Sequence, residues 1–407
     1  MAISTPTTLT SPQTEPVSDA IIPASRQRLE SLDVFRGLTI AGMILVNDPG
    51  SNAIYWPLGH ADELASEHTG WYAGKWWIDA NGWTPTDLIF PFFLFIVGVS
   101  MVMSFAARRS RGDSRSALFK HAVQRSAWIL FIGYAIRILP LFHFAHFRYA
   151  GVLQRIAVVY LCASAITLWT ATRGRVLWIA GLLVGYFALM RFVPVPGCDP
   201  GGWMTQHCSL AGWLDRKLML GHLYRTDFDP EGVLSTLPAI ATTLLGTLIG
   251  EFLRSAANLS DKLRTLVIAG IAGVLAGYLW HPWFPISKPL WTSSYVLFTA
   301  GASCLTLALC WWLIEMRSWR TWSRPFLWLG SNAILAYALS TFAAKLGYTI
   351  KVGGGPHPIG IQSWIFEHWF APLASPKNAS LAFSLSYVAV WMLVCWGLYR
   401  KKIFVKV

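Results

Sequence analysis

Apolar runs of about twenty residues recur along the whole chain, and their need for a non-aqueous surround constrains the fold more than any motif does. Ten such runs fall near 32–48, 85–106, 122–141, 151–171, 175–193, 233–253, 263–281, 291–314, 325–346 and 380–399. Within hydrocarbon each backbone N–H and C=O has to be satisfied inside the segment, and runs of this length do that as helices. Only 13% of the 407 residues are charged, against about 25% in soluble domains. The expected fold is an all-α polytopic membrane protein with about ten transmembrane helices. Residues 1–27 are rich in Ser, Thr and Pro and lack an apolar stretch. They are expected to form a disordered tail, with residues 28–407 as one transmembrane domain.

A net charge of +13 would point to nucleic acid in a soluble protein. Here Lys and Arg gather in the short 107–121, 172–175, 254–264 and 315–324 connections and near both ends. The positive-inside rule puts those connections and both termini in the cytoplasm, so no nucleic-acid partner is expected. The opposite connections carry Asp62, Glu63, Glu67, Asp79, Asp199, Asp215, Asp227, Asp229 and Glu231. They are expected outside, which is the periplasm in a Gram-negative cell. Cys198 and Cys208 share the 194–232 loop on that side. A disulfide there suits an oxidising compartment; two free thiols are the alternative. No CxxC occurs, and His143 and His146 have no evident third ligand, so no metal is expected.

Ionisable groups within spans are costly, and each is a candidate for function. Asp33 and Arg36 open the first span at i and i+3, as a helix-end ion pair or a ligand contact. Asn47 closes it before Asp48-Pro49-Gly50, and helix termination would explain it equally. His60 follows Tyr55-Trp56-Pro57-Leu58-Gly59, and Asp87 sits in Thr84-Pro85-Thr86-Asp87. Thr84 is placed to cap the second span, with Pro85 in its first turn. Asp87 either answers the helix dipole or orients an imidazole. Gln154 and Arg155 lie near the outer end of an apolar run, where the Arg either snorkels or meets Asp87, a phosphate or a lipid headgroup. Lys288, Trp291 and Ser293 enter the eighth span, and Asn332 falls inside the ninth. Interhelical hydrogen bonding would account for several of these without any function.

Taken in order, these segments are recognisable. Ser31-Leu32-Asp33-Val34-Phe35-Arg36-Gly37 resembles the opening of the heparan-α-glucosaminide N-acetyltransferase family. The Val-Asn at Asn47, the aromatic approach to His60-Ala61 and Gly82-Trp83-Thr84 through Asp87 to Pro91 are similar to successive family motifs. So are Gly151-Val152-Leu153-Gln154-Arg155, Lys288-Pro289-Leu290-Trp291-Thr292-Ser293-Ser294 and Pro325-Phe326 through Gly330-Ser331-Asn332-Ala333. Within the family the chain most resembles the bacterial NagX-type inner-membrane proteins. One departure is the 62–81 insert between His60-Ala61 and the next motif, which would let His68 stand in for His60.

The resemblance implies a multi-pass enzyme of the bacterial inner membrane. It would move acetyl from cytosolic acetyl-CoA to the amine of a glucosamine or glucosamine-containing sugar on the periplasmic side. The family's active-site His, intramembrane Asn and span-start Asp map onto His60, Asn47 and Asp87. His60 would act as general base or carry the acetyl as an acyl-imidazole, with Asn47 on the oxyanion. Asp33, Arg36, Arg125, Gln154, Arg155, Arg324 and Asn332 are the expected acetyl-CoA contacts, and Trp56, Trp83, Lys288, Trp291 and Ser293 the expected sugar contacts. A homodimer in the bilayer is the expected assembly. An amino-sugar permease or lipid-linked-sugar flippase would suit the same Gly- and Pro-interrupted spans, and an envelope glycan O-acetyltransferase would use the same chemistry.

Overall fold

A computed structural model describes residues 29–61, 83–142, 147–353 and 358–405. His68, the rest of the 62–81 insert, His143, His146 and the 1–27 tail lie outside the described residues. The described chain is a helical bundle: α1 (Glu30–Asn47), α2 (Ile89–Arg109), α3 (Arg115–Ile138), α4 (Val152–Trp169), α5 (Thr172–Phe192), α6 (Leu210–Met219), α7 (Thr236–Leu253), α8 (Leu259–Trp280), α9 (Ser293–Trp311), α10 (Arg324–Ser331), α11 (Ala333–Thr349), α12 (Ile361–Ile365) and α13 (Pro376–Arg400). A two-residue hairpin pairs Lys351–Val352 with Ile359–Gly360 after α11.

Every one of the ten apolar runs is helical, but they are not equivalent. Among the described residues seven helices are long and apolar enough to cross a membrane, and α10 with α11 makes eight if that pair, bent by 85°, is one span. The first and third expected spans, α1 and α3, are the helices that fall short. Asp33 and Arg36 interrupt α1, and α3 carries Arg115, Lys120, His121, Arg125 and Arg137. Apolar side chains such as Leu177, Leu279 and Leu393 stand exposed on α5, α8 and α13. That outward apolar surface is what a bilayer requires of a multi-pass protein.

Several seams bring backbone against backbone, α8 against α9 at Gly273, Gly277 and Gly301 among them. A Cβ on Gly98 of α2 would sit 2.0 Å from the Thr243 carbonyl of α7, and one on Gly246 would sit 2.2 Å from the Phe95 carbonyl. Gly37 of α1 and Gly330 of α10 do the same, at 1.8 Å from the Phe326 carbonyl and 1.9 Å from the Asp33 carbonyl. Small residues are what permit such approach between membrane helices. By contrast, a Cβ on Gly181 or Gly185 of α5 would meet nothing within 4 Å. Outside the bundle proper, Cys198 and Cys208 are joined as a disulfide in the α5–α6 connection.

Candidate active site

The site begins with the short connection after α1. Pro57 is the second residue of a 3-10 turn over Trp56–Leu58, and His60 follows it. A second 3-10 turn, Pro85–Leu88, leads into α2, with Thr84 before it and Pro85 in its first position, as the sequence predicts. The two turns are tied side chain to backbone. Thr86 Oγ1 donates to the Pro57 carbonyl at 2.8 Å, and Thr84 Oγ1 to the Gly59 carbonyl at 2.7 Å. Tyr295 of α9 donates its hydroxyl to the Asp87 carbonyl, fixing the second turn from below.

Asp87 is buried, and its two oxygens divide the work. Oδ2 accepts from the backbone N–H groups of Ala61 at 3.2 Å and Thr84 at 3.0 Å. Oδ1 lies 2.8 Å from His60 Nδ1 and 3.3 Å from Lys288 Nζ. A carboxylate only accepts, so its bond to the ring puts the proton on Nδ1 and the lone pair on Nε2. Lys288 Nζ also lies 2.8 Å from Nδ1 and 3.3 Å from Nε2; with the proton on Nδ1 it finds no acceptor at that nitrogen, and its partner there is the carboxylate oxygen that both groups share. Its position is set by a turn closed by the Trp291 N–H on the Lys288 carbonyl, at 3.0 Å, with Trp291 in the left-handed region at φ 51°. His60 is 26% exposed and Asp87 is 1% exposed, so the ring opens onto space while its carboxylate does not.

That space is a cavity of about 220 Å³ lined by Asn47, His60, Lys288, Arg148, Glu231 and Tyr337, among others. Its volume is below the roughly 300–1,000 Å³ of drug-sized pockets, which suits a small polar molecule. Further polar lining comes from the connections before α4 and α7. Arg148 pairs with both Asp229 and Glu231. Burial works against the Glu231 carboxyl, but Arg148, Arg155 and Lys288 outweigh it and hold its pKa below the ordinary glutamate value. Arg148 and Glu231 were not anticipated as site residues. Their signal in the sequence was the acid-rich Asp227-Phe228-Asp229-Pro230-Glu231 run facing a lone Arg148 in another outer connection.

The other expected site residues fall elsewhere. Arg155 is buried rather than snorkelled, and its partners are the Gly232 carbonyl and Ser235 Oγ, not Asp87. It stacks over the buried Trp291 ring at 5.0 Å. Trp291 also donates to Thr242 Oγ1 at 3.3 Å, and Ser293 donates to the Leu183 carbonyl at 2.7 Å; both are buried and neither is in the cavity lining. Trp83 donates to the Tyr278 hydroxyl at 3.1 Å and packs on Phe298. Trp56 is half-buried in its turn, outside the cavity lining. Gln154 is buried.

The expected acetyl-CoA contacts near the other end of the bundle are dispersed. Arg36 pairs with Asp33 at 2.9 Å and donates to Ser100 Oγ at 2.6 Å. Arg125 lies over Tyr160 at 4.9 Å, and Arg324 is exposed at the start of α10. Asn332 is spoken for, since its amide donates to the Ile403 carbonyl at 3.0 Å and accepts from the Val405 N–H at 2.9 Å. His207 lies beside Cys198 and Cys208, but those sulfurs are bonded to one another and offer no thiolate to a metal.

A base held by a buried carboxylate, with an ammonium at its edge and an open cavity beyond, is equipped to take a proton and to stabilise developing negative charge. The comparisons with known proteins agree in one direction. The family model described as heparan-alpha-glucosaminide N-acetyltransferase, catalytic, matches residues 28–282. The mouse (Mus musculus) heparan-alpha-glucosaminide N-acetyltransferase is 28% identical over 440 residues, covering 94% of this chain and 61% of its own length. The human (Homo sapiens) protein of the same name is 28% identical over 457 residues, covering 97% of this chain and 63% of its own. The chain thus spans a little over three fifths of the length of these relatives. With the family model matching more than half of it, the chain belongs to the heparan-alpha-glucosaminide N-acetyltransferase family.

Proposed function

We propose that this chain transfers acetyl from acetyl-CoA to the amine of a glucosamine or glucosamine-bearing sugar across a bacterial inner membrane. The donor would bind from the cytosol, and the acceptor would enter the His60 cavity from the periplasmic side. The observation that carries this reading is the His60–Asp87–Lys288 cluster opening onto a small, partly polar cavity shared with Asn47. The Cys198–Cys208 disulfide supports the sidedness, because the same α5–α7 connection supplies Glu231 to the cavity.

The chemistry rests on the charge arrangement. The acceptor amine arrives as an ammonium, and His60 Nε2 takes one of its protons and passes it to solvent. The neutral amine attacks the thioester carbonyl, forming a C–N bond. Lys288 and Asn47 donate to the oxygen that becomes negative. Collapse breaks the C–S bond, and the second proton leaving nitrogen ends on the thiolate. The products are the acetamide, free CoA and one proton. Asp87 stays ionised and keeps the ring in the Nδ1–H tautomer throughout.

The test is free-thiol release by the purified chain supplied with acetyl-CoA and glucosamine. Wild-type protein releases thiol, and His60→Ala lowers turnover by roughly 10³-fold or more, the order of a lost general base. Thiol release at the wild-type rate in that variant removes His60 from the mechanism. Uptake of labelled glucosamine into acetyl-CoA-free proteoliposomes, with no thiol release, replaces the enzyme by a permease.

A further inference from the structure

The cavity holds a second carboxylate for which the chemistry above has no use. Asp87 cannot greet a cationic acceptor, since it is closed off behind His60 and Lys288 with donors on both oxygens. Glu231 lines the cavity itself. One of its oxygens, Oε2, is held by Arg148. The other, Oε1, has no hydrogen-bond partner among the described residues. A carboxylate offers about four lone-pair sites, so the Arg148 bond leaves capacity for another charged donor.

The surroundings fix that carboxylate in place. Asp229 accepts from Arg148 and from the Tyr224 N–H at 3.0 Å, and its other oxygen accepts from the Glu231 N–H at 2.9 Å. Arg148 is thus shared between two carboxylates, while Arg155 and Lys288 also act on Glu231 and favour its ionised form.

We propose that Glu231 is the ammonium-binding residue of the acceptor site, its Oε1 accepting from the protonated amine and presenting it to His60. The inference rests on the amino-sugar reading above and deepens it by naming what selects the charged amine. A sugar hydroxyl would gain far less from the same carboxylate, so Glu231 sets a preference for amine over alcohol acceptors.

The experiment uses the full chain in detergent and measures thiol release against glucosamine concentration. It is paired with inhibition by N-acetylglucosamine, which has the same ring and no charge. Glu231→Gln keeps the shape and an oxygen for Arg148. It should raise the KM for glucosamine about 10- to 100-fold, the effect of a lost charged hydrogen bond. In that variant kcat and the inhibition constant of N-acetylglucosamine should stay within about threefold. Glu231→Asp, which keeps the charge at shorter reach, should fall between the two, and retained acetyl-CoA binding certifies the fold of each. An unchanged KM in Glu231→Gln overturns the inference and leaves the enzyme reading standing. Equal loss of glucosamine and N-acetylglucosamine binding also overturns it, since only a general distortion does that. A wild-type chain that releases no thiol with glucosamine overturns the reading and the inference together.

Discussion

Replacing Asp87 by Asn exchanges one oxygen for an NH2 and removes one charge, and the local geometry dictates the consequence. An Asn amide has one accepting oxygen and one donating NH2, whereas both oxygens of Asp87 now accept. If the NH2 takes the Oδ2 place, it faces the backbone N–H groups of Ala61 and Thr84, which have no other role to turn to. If it takes the Oδ1 place, it faces His60 Nδ1 and the Lys288 ammonium. The second arrangement costs less, because an imidazole can move its proton from Nδ1 to Nε2 and a backbone amide cannot move its own. That move removes the lone pair from the nitrogen that opens on the cavity. The expected loss in kcat is roughly 10³- to 10⁴-fold, the scale at which a mis-set tautomer acts in hydrolytic triads. Lys288 also loses its counter-charge close to the cavity, at a cost of about 2 kcal/mol in stability. The assay is thiol release by purified Asp87→Asn protein beside its thermal unfolding in detergent. A folded variant that turns over within tenfold of wild type would refute the tautomer argument.

Two more outcomes test the scaffold. Gly246→Ala drives a methyl into the Phe95 carbonyl and should cost about 1–3 kcal/mol through helix displacement, whereas Gly181→Ala should leave the unfolding temperature unchanged or slightly higher; similar losses in both would dismiss the seam. Asp215 in α6 is buried, and burial pushes its carboxyl up to about 7 from 3.8, so the folded chain holds that proton more tightly than the unfolded one. Stability is therefore full below about pH 4 as far as this group is concerned and declines as pH rises towards about 7, by up to about 4 kcal/mol; Asp215→Asn should flatten unfolding measured between about pH 4 and pH 8, and an unaltered slope would clear Asp215 of the effect.

The apolar runs were legible because a bilayer demands length and continuity, and helices stand at each of their positions. How many of them cross was not legible from the runs themselves. α1 and α3 carry polar groups whose cost depends on neighbours, such as Ser100 beside Arg36 and Tyr160 beside Arg125, that no local window contains. His60 and Asp87 were readable together because they flank consecutive turns near the ends of neighbouring spans. Lys288, 228 residues further on, was expected at the sugar; it lines the cavity, and its place beside the ring had no local signal. Arg148 and Glu231 come from different outer connections, and only tertiary packing joins them. The two small-residue motifs show the same limit, since Gly246xxxGly250 meets backbone and Gly181xxxGly185 meets nothing.

Two of the glycine seams bear on where this bundle is able to yield. Contacts between bare backbones contain no rotamers to swing aside, so α1 with α10, and α2 with α7, behave as welded pairs. The join between the pairs is of another kind, with Phe35 edge-on to Phe92 at 5.3 Å and Arg36 reaching Ser100. Side chains have other rotamers to adopt, which bare backbone has not. On the proposed reading, with a donor that enters from the cytosol, a slender thioester arm would pass most easily along that join, and cross-linking α1 to α2 there would slow thiol release while leaving both welds intact.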